Sequence, residues 1–230
     1  DQHVADGRGR EALGGFLSQF SGEERERVEV VTMDMHAPYI AAVAEHIPDG
    51  RRRIAFDKYH VAALLGRAVD LVRRQEHKAL LERGDKSLKG TKYQWLRNPT
   101  QMTDAQWEAF ASLREANLKT ARAWAIKETA MEMWDAEGKA ETLIEGWRRV
   151  LRWAGRSKLE PMKRAAATLR AHLDGIVLAQ LLEVTNAIAE GLNSVIQKMK
   201  FGARGFRNRE RFRRAILFHR GGLDLYQIPA

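Results

Sequence analysis

The chain has 230 residues, with 39 Lys and Arg against 30 Asp and Glu, a formal net charge of +9 and no cysteine. This length is enough for one large or two small domains with a real core, and the lack of cysteine excludes disulfides, thiolate metal sites and cysteine nucleophiles, as fits a reducing compartment. The basic balance favours a polyanionic partner, in the simplest case nucleic acid, although ribosomal and membrane-surface proteins share the bias.

No apolar stretch is long enough to span a membrane. The opening Asp1-Gln2-His3-Val4-Ala5-Asp6 lacks the basic-then-apolar pattern of a signal peptide. A cytoplasmic protein with no membrane partner is therefore expected. The chain opens without an initiator methionine, so it reads as the downstream part of something longer.

In chain order, residues 12–20 carry Leu13, Phe16, Leu17 and Phe20 at helical spacing. Ser21-Gly22-Glu23-Glu24 reads as a stop and a turn. The β-branched run 28–33 reads as a strand ending at Asp34. Pro38 suits the first turn of a helix through Ala44, and Pro48-Asp49-Gly50 reads as a turn. Residues 52–56 read as a second strand, ending at Asp57. Strand, helix, strand is a βαβ unit, whose strands are parallel neighbours. Both aspartates then fall at strand carboxyl ends, where open α/β sheets place their sites.

From Val61 to about residue 172 the pattern is nearly all helical, with Val61, Leu64, Leu65, Ala68 and Val72 as one stripe. Residues 84–103 look loop-like through Gly90, Asn98 and Pro99. Thr103 followed by Gln106 forms a capping-box signature. Helices are expected over 113–134, 140–153, 161–173 and 176–199, the last with a break near Val184-Thr185. Trp107, Trp124, Trp134, Trp147 and Trp153 read first as helix-bundle core, with base stacking as the sharper alternative. The layout predicts an α/β part at 1–75, a helical insertion at 76–172 and a helical, basic end at 173–230.

Several residues could carry chemistry. Asn186, Glu190, Asn193 and Gln197 share one helical face, and Ile188, Leu192, Val195 and Met199 share another. This is either an ordinary amphipathic helix or one whose polar face looks into a cleft. Asp34 and Asp57 are either turn formers and helix caps or hard oxygen ligands for Mg2+ or Mn2+. His60, three residues after Asp57, could orient a carboxylate or contact phosphate, and a structural role is equally open. Lys198, Lys200, Arg204, Arg207, Arg209, Arg211, Arg213, Arg214 and Arg220 face only Glu210, with Phe201, Phe206, Phe212 and Phe218 interleaved. So local an imbalance points to phosphate-backbone contact, to which Arg51, Arg52 and Arg53 could add. No Walker motif, nucleophile elbow or dinucleotide fingerprint is present.

These residues resemble the ISL-three family of DDE transposases. The matching stretches are Val31-Thr32-Met33-Asp34-Met35 with Pro38-Tyr39-Ile40, and Phe56-Asp57-Lys58-Tyr59-His60-Val61. They continue through Ala121-Arg122-Ala123-Trp124-Ala125-Ile126-Lys127-Glu128, Asn186 to Asn193, Gly205-Phe206-Arg207-Asn208 and Gly221-Gly222-Leu223. Each is weak alone, but the ordered set spans nearly the whole chain. The resemblance implies an α/β, RNase H-like catalytic domain, partial here, with a large all-α insertion and a helical basic end. It implies two-metal DNA cleavage and strand transfer at insertion-sequence ends, with Mg2+ or Mn2+ as cofactor and both the sequence ends and the target DNA as partners. Homo-oligomers are compatible with it.

In that reading Asp34 is the second acid of the catalytic triad and Glu190 the third, and both are metal ligands. Asp57 and His60 match a D-x-x-H signature and support the site with Asn186 and Asn193. Asp57 as the second acid is the alternative. The family's first acid lies upstream of the segment resembling Gly7-Arg8. The expectation is therefore a carboxyl-terminal part of a transposase with an incomplete triad. Its rival is a non-catalytic DNA-binding protein that co-assembles with an intact transposase and inhibits it.

Overall fold

The computed structural model describes residues 7, 9–116, 118–184, 187–205 and 208–220, with backbone alone at 187–190, 192–193 and 218–220. The chain is mostly helical with a small two-stranded parallel sheet. It divides into two compact units, Asp1–Ile54 with Thr185–Ala230, and Ala55–Val184.

In the first unit, helix α1 (Arg10–Leu17) packs on α3 (Ala37–His46). Leu17 is buried, and a Cβ on Gly14 would meet the His46 ring at 3.1 Å, so the glycine lets the two helices approach. The Arg10 guanidinium donates twice to the Glu45 carboxylate, at 2.6 and 2.9 Å, and holds that carboxyl below its usual range. Where a turn was expected, α2 (Gly22–Glu26) forms. Its cause is a reciprocal capping box: the Ser21 hydroxyl accepts from the Glu24 N–H at 3.2 Å, and the Glu24 carboxylate accepts from the Ser21 N–H at 2.7 Å. A serine with glutamate three residues on outweighs the glycine between them.

Strand β1 (Val31–Met33) is shorter than its β-branched run. Asp49 adopts φ 51°, and Gly50 opens a 3-10 turn through Arg53. A side chain on Gly50 would run into the Val43 carbonyl, which is why glycine stands there. Arg53 donates to the carbonyls of Glu26 and Val28, at 2.8 and 2.5 Å. It is thus committed to the fold, leaving Arg51 and Arg52 exposed. Strand β2 (Ile54–Phe56), buried throughout, is the partner of β1, with α3 between them in sequence.

The second unit is built on α4 (Lys58–Leu81), which packs against α7 (Lys119–Trp134) and α9 (Glu160–Ala171). Val61, Leu65, Ala68, Val69 and Val72 form its buried stripe. Helix α5 (Lys92–Leu96) lies within the stretch read as loop. Trp95 explains it: the indole is fully buried, donates to Thr91 Oγ1 at 3.2 Å and meets Phe110 edge-on at 4.7 Å. Burying an indole is worth roughly 4 to 6 kcal/mol as an upper estimate, enough to override the weak turn signals beside it.

Helix α6 (Asp104–Glu115) starts at the expected box, with both Thr103–Gln106 bonds made at 3.2 and 3.3 Å. The helix expected over 113–134 is interrupted. Ala116 is extended, and α7 starts afresh because the Glu76 carboxylate accepts from the Lys119 and Thr120 N–H groups and the Thr120 hydroxyl, each at 2.7 Å. Helix α8 (Ala140–Arg156) and α9 follow, then α10 (Leu173–Leu181). Glu183 at φ 51° lies just beyond α10, before the expected break. Trp147 is buried and donates to Gln180 at 3.2 Å, whereas Trp153 is 41% exposed.

Candidate catalytic and nucleic-acid site

Asp34 directly follows β1 and is half-buried. Among the described residues no hydrogen bond or ion pair engages its carboxylate. Position 190 lies on helix α11 (Ala187–Gly202). Although the whole second unit separates them in sequence, Asp34 and position 190 belong to the same compact unit. Farther along α11, Val195 and Met199 are half-buried while Ser194, Gln197 and Lys198 are exposed, so the helix is amphipathic as its spacing requires. The side chains of Glu190 and Asn193, and all of Asn186, lie outside the described residues.

Asp57 is in a different situation. It is 5% exposed and caps α4, its Oδ1 accepting the His60 N–H at 3.1 Å. His60 Nε2 stands 3.9 Å from the same oxygen, and its ring meets Tyr59 edge-on at 5.4 Å. Among the described residues no group of three or more metal-ligating side chains is assembled.

The basic end is open to solvent. Lys198, Lys200 and Arg204 are exposed at the carboxyl end of α11 and the turn after it. That turn has Arg204 at φ 52° and Gly205 at φ 88°, with the Gly205 N–H donating to the Lys200 carbonyl at 2.8 Å, a left-handed helix stop that favours glycine. Helix α12 (Arg209–Arg220) begins at Asn208, whose side-chain oxygen accepts from the Glu210 and Arg211 N–H groups at 2.8 and 3.2 Å. Arg209, Arg211, Arg213 and Arg214 are exposed, and Ile216 is buried. Arg207 lies outside the described residues. Among the described residues Glu210 pairs only with Arg214, at 3.2 Å. An open recess of about 1200 Å³ is lined by Gln197, Lys198, Lys200 and Arg204, with Phe201 88% exposed at its side. Positive charge with an exposed ring can hold phosphates and shield a sugar or base.

Sequence inspection passed over a second basic recess, between α4 and α5. Only part of its signal lies in one stretch: its Lys92 belongs to a run in which Arg83, Lys86, Lys89, Lys92 and Arg97 stand against Asp85 alone between residues 83 and 97, whereas its Arg67 and Arg74 come from α4.

A transposase family model of the DDE type, ISL-three group, matches residues 2–216. The chain is 26% identical over 212 residues to the transposase for insertion sequence element IS1001 of Bordetella parapertussis, covering 91% of this chain and 52% of that protein. It is 24% identical over 230 residues to the transposase for insertion sequence element IS1557 of Mycobacterium tuberculosis H37Rv, covering 89% and 50%. The chain spans about half the length of the curated relatives it matches. No solved structure matches it. Among the described residues no helix is long and apolar enough to cross a membrane.

Proposed function

The chain belongs to the ISL-three family of DDE transposases, and from that membership we propose that it carries part of the core that cleaves DNA at insertion-sequence ends and joins it to a target. In this reading the α/β segment, 1–75, and the segment 173–230 are parts of one RNase H-like domain, and 76–172 is an insertion in it. The observation that carries the reading is the return of α11 to the compact unit that holds Asp34. A remote acidic position thereby falls in the same compact unit as a strand-end aspartate, which supports the reading.

Asp34 and Glu190 are the proposed metal ligands and catalytic acids. As hard oxygen donors they suit Mg2+ or Mn2+, which are commonly held by few carboxylates together with substrate phosphates. When bound, the ions supply Lewis-acid stabilisation of the attacking and leaving oxygens in a phosphodiester displacement. The chain's other residues bind and orient. Lys198, Lys200, Arg204, Arg209, Arg211, Arg213 and Arg214 neutralise the DNA backbone and fix its register, and Arg207 is proposed to join them. Asn186 and Asn193 support the polar face of α11. Asp57 and His60 support from the start of α4, where the Asp57 cap fixes the backbone after β2.

The test is Mn2+ binding to the chain on duplex DNA, followed by electron paramagnetic resonance. Asp34→Asn and Glu190→Gln should each weaken binding about tenfold or more, while Asp57→Asn should leave it within about twofold. Unchanged binding in the first two variants would refute the assignment. Salt-sensitive DNA binding without any Mn2+ site would favour a non-catalytic chain that co-assembles with an intact transposase.

A further inference from the structure

We propose that the recess between α4 and α5 binds unpaired nucleotides of a DNA strand. The proposal rests on the reading that this chain acts on DNA, and it adds a site on the helical unit. The recess measures about 540 Å³, within the range of sites built for small organic groups. Its floor is apolar, formed by Ala62, Gly66 and Leu96. Its rim carries the exposed cations Arg67, Arg74 and Lys92.

The acid lining it is Asp70, which already accepts from Arg73 at 2.8 and 2.9 Å and pairs with Arg74 at 3.2 Å. Among the described residues Arg67 and Lys92 have no carboxylate partner. Two aromatic rings stand open beside these cations. Tyr59, on the recess wall, is 62% exposed, and Tyr93, next to Lys92, is 70% exposed. The Lys92 ammonium sits 5.5 Å from the Tyr93 ring centre.

This combination selects a ligand chemistry. A duplex presents phosphates on a convex surface with its bases stacked inside, so a flat basic face is enough to hold it. An apolar hollow with one exposed ring on its wall and a second beside its Lys92 has nothing to receive from a duplex. It suits a base out of the stack, whose π-face packs on tyrosine while neighbouring phosphates meet arginine and lysine. A free mononucleotide is disfavoured, because the chain has no glycine-rich phosphate loop.

The experiment is fluorescence anisotropy of the full chain with a labelled oligothymidylate and with a duplex of equal length, each competed with thymidine monophosphate. The variants are Tyr59→Ala, Tyr93→Ala, the pair Arg67→Gln with Lys92→Gln, and Gly66→Met. In the last, a Cβ meets only Leu96 Cδ2 at 4.0 Å, so the added chain grows into the hollow without displacing backbone. Circular dichroism melting confirms that each variant folds.

Single-strand affinity should fall about fivefold or more in every variant. Duplex affinity should stay within about twofold for the tyrosine and Gly66 variants. Equal losses on both DNAs, or no loss on the single strand, would overturn the proposal. So would competition by the mononucleotide as strong as by the oligomer. If the wild-type chain binds neither DNA, the DNA reading itself fails. If Arg211→Gln with Arg214→Gln weakens duplex binding while the recess variants change nothing, only the recess proposal fails.

Discussion

Replacing Arg211 and Arg214 together by glutamine tests the basic end most directly. Ile216 is buried and Phe212 half-buried, so they mark the side of α12 that faces the protein. At roughly 100° per residue, Arg211 and Arg214 lie about 60° apart and about 140° to 160° from Ile216, so they point outward together. Arg209 and Arg213 flank the covered side. The Arg214–Glu210 pair at 3.2 Å is solvent-exposed, so it competes little with a phosphate. Each phosphate contact adds about 0.9 to the slope of log affinity against log salt on duplex DNA. The double variant should therefore lower the slope by about 1.8. Between about 50 and 200 mM salt its affinity should fall roughly tenfold less steeply than that of the wild type. Anisotropy titrations of a duplex across that range measure this. An unchanged slope in the Arg211–Arg214 variant would refute phosphate contact by this face, even if affinity fell.

Three further outcomes follow from contacts in the helical unit. Glu76→Ala removes three 2.7 Å bonds from the start of α7 and strands the fully buried Thr120; urea unfolding should show a loss of about 2 to 4 kcal/mol, and a loss below about 0.5 would contradict the cap. Asp57→Ala should cost about 1 kcal/mol and Asp57→Asn a few tenths, because asparagine caps as well as aspartate; equal losses would mean that the charge rather than the cap matters. His172 packs on Phe56 with ring centres 4.9 Å apart, and burial lowers its pKa below the usual 6.5. The unfolded chain then takes up the proton first, so the stability contribution is complete above about pH 6.5 and is lost as pH falls through the lower folded value. His172→Gln should flatten the acid side of a melting-temperature profile, and an unchanged profile would exclude this histidine as the cause.

What could be read from the sequence follows the range of the interaction responsible. The Thr103–Gln106 box and the buried stripe of α4 are local patterns, and both form as spaced. The α2 box was equally local, but Gly22 disguised it as a turn. The break before α7 was not legible, because its cap comes from Glu76, more than forty residues upstream. Helix α5 was hidden by Gly90, Asn98 and Pro99, since only tertiary burial of Trp95 shows why it forms. Arg53 looked like part of a cationic cluster until the carbonyls of Glu26 and Val28 claimed it. The cations of the basic end were legible because they are contiguous. Those of the α4–α5 recess were not, because Arg67 and Lys92 meet only when α5 folds beside Gly66.

The same distinction bears on which aspartate serves as the second acid. The spacing of Asp57 and residue 60 is one that a helix cap uses, since a capping carboxylate reaches the backbone N–H three residues on, whatever that residue's side chain, and here it does so at 3.1 Å. The carboxylate is 5% exposed at the start of a 24-residue helix, where the helix dipole favours its charge. Its Oδ1 is committed to the cap, and turning that oxygen to a metal would strip the start of α4 of a partner. Asp34 carries no such duty: it follows a strand, is half-buried and shares its compact unit with position 190. These differences support Asp34 as the proposed ligand and Asp57 as the residue that holds the adjoining backbone. The roles separate in one comparison. Asp34→Asn should lose Mn2+ with little change in stability, and Asp57→Ala should lose stability while keeping Mn2+. The reverse pattern would exchange the two assignments.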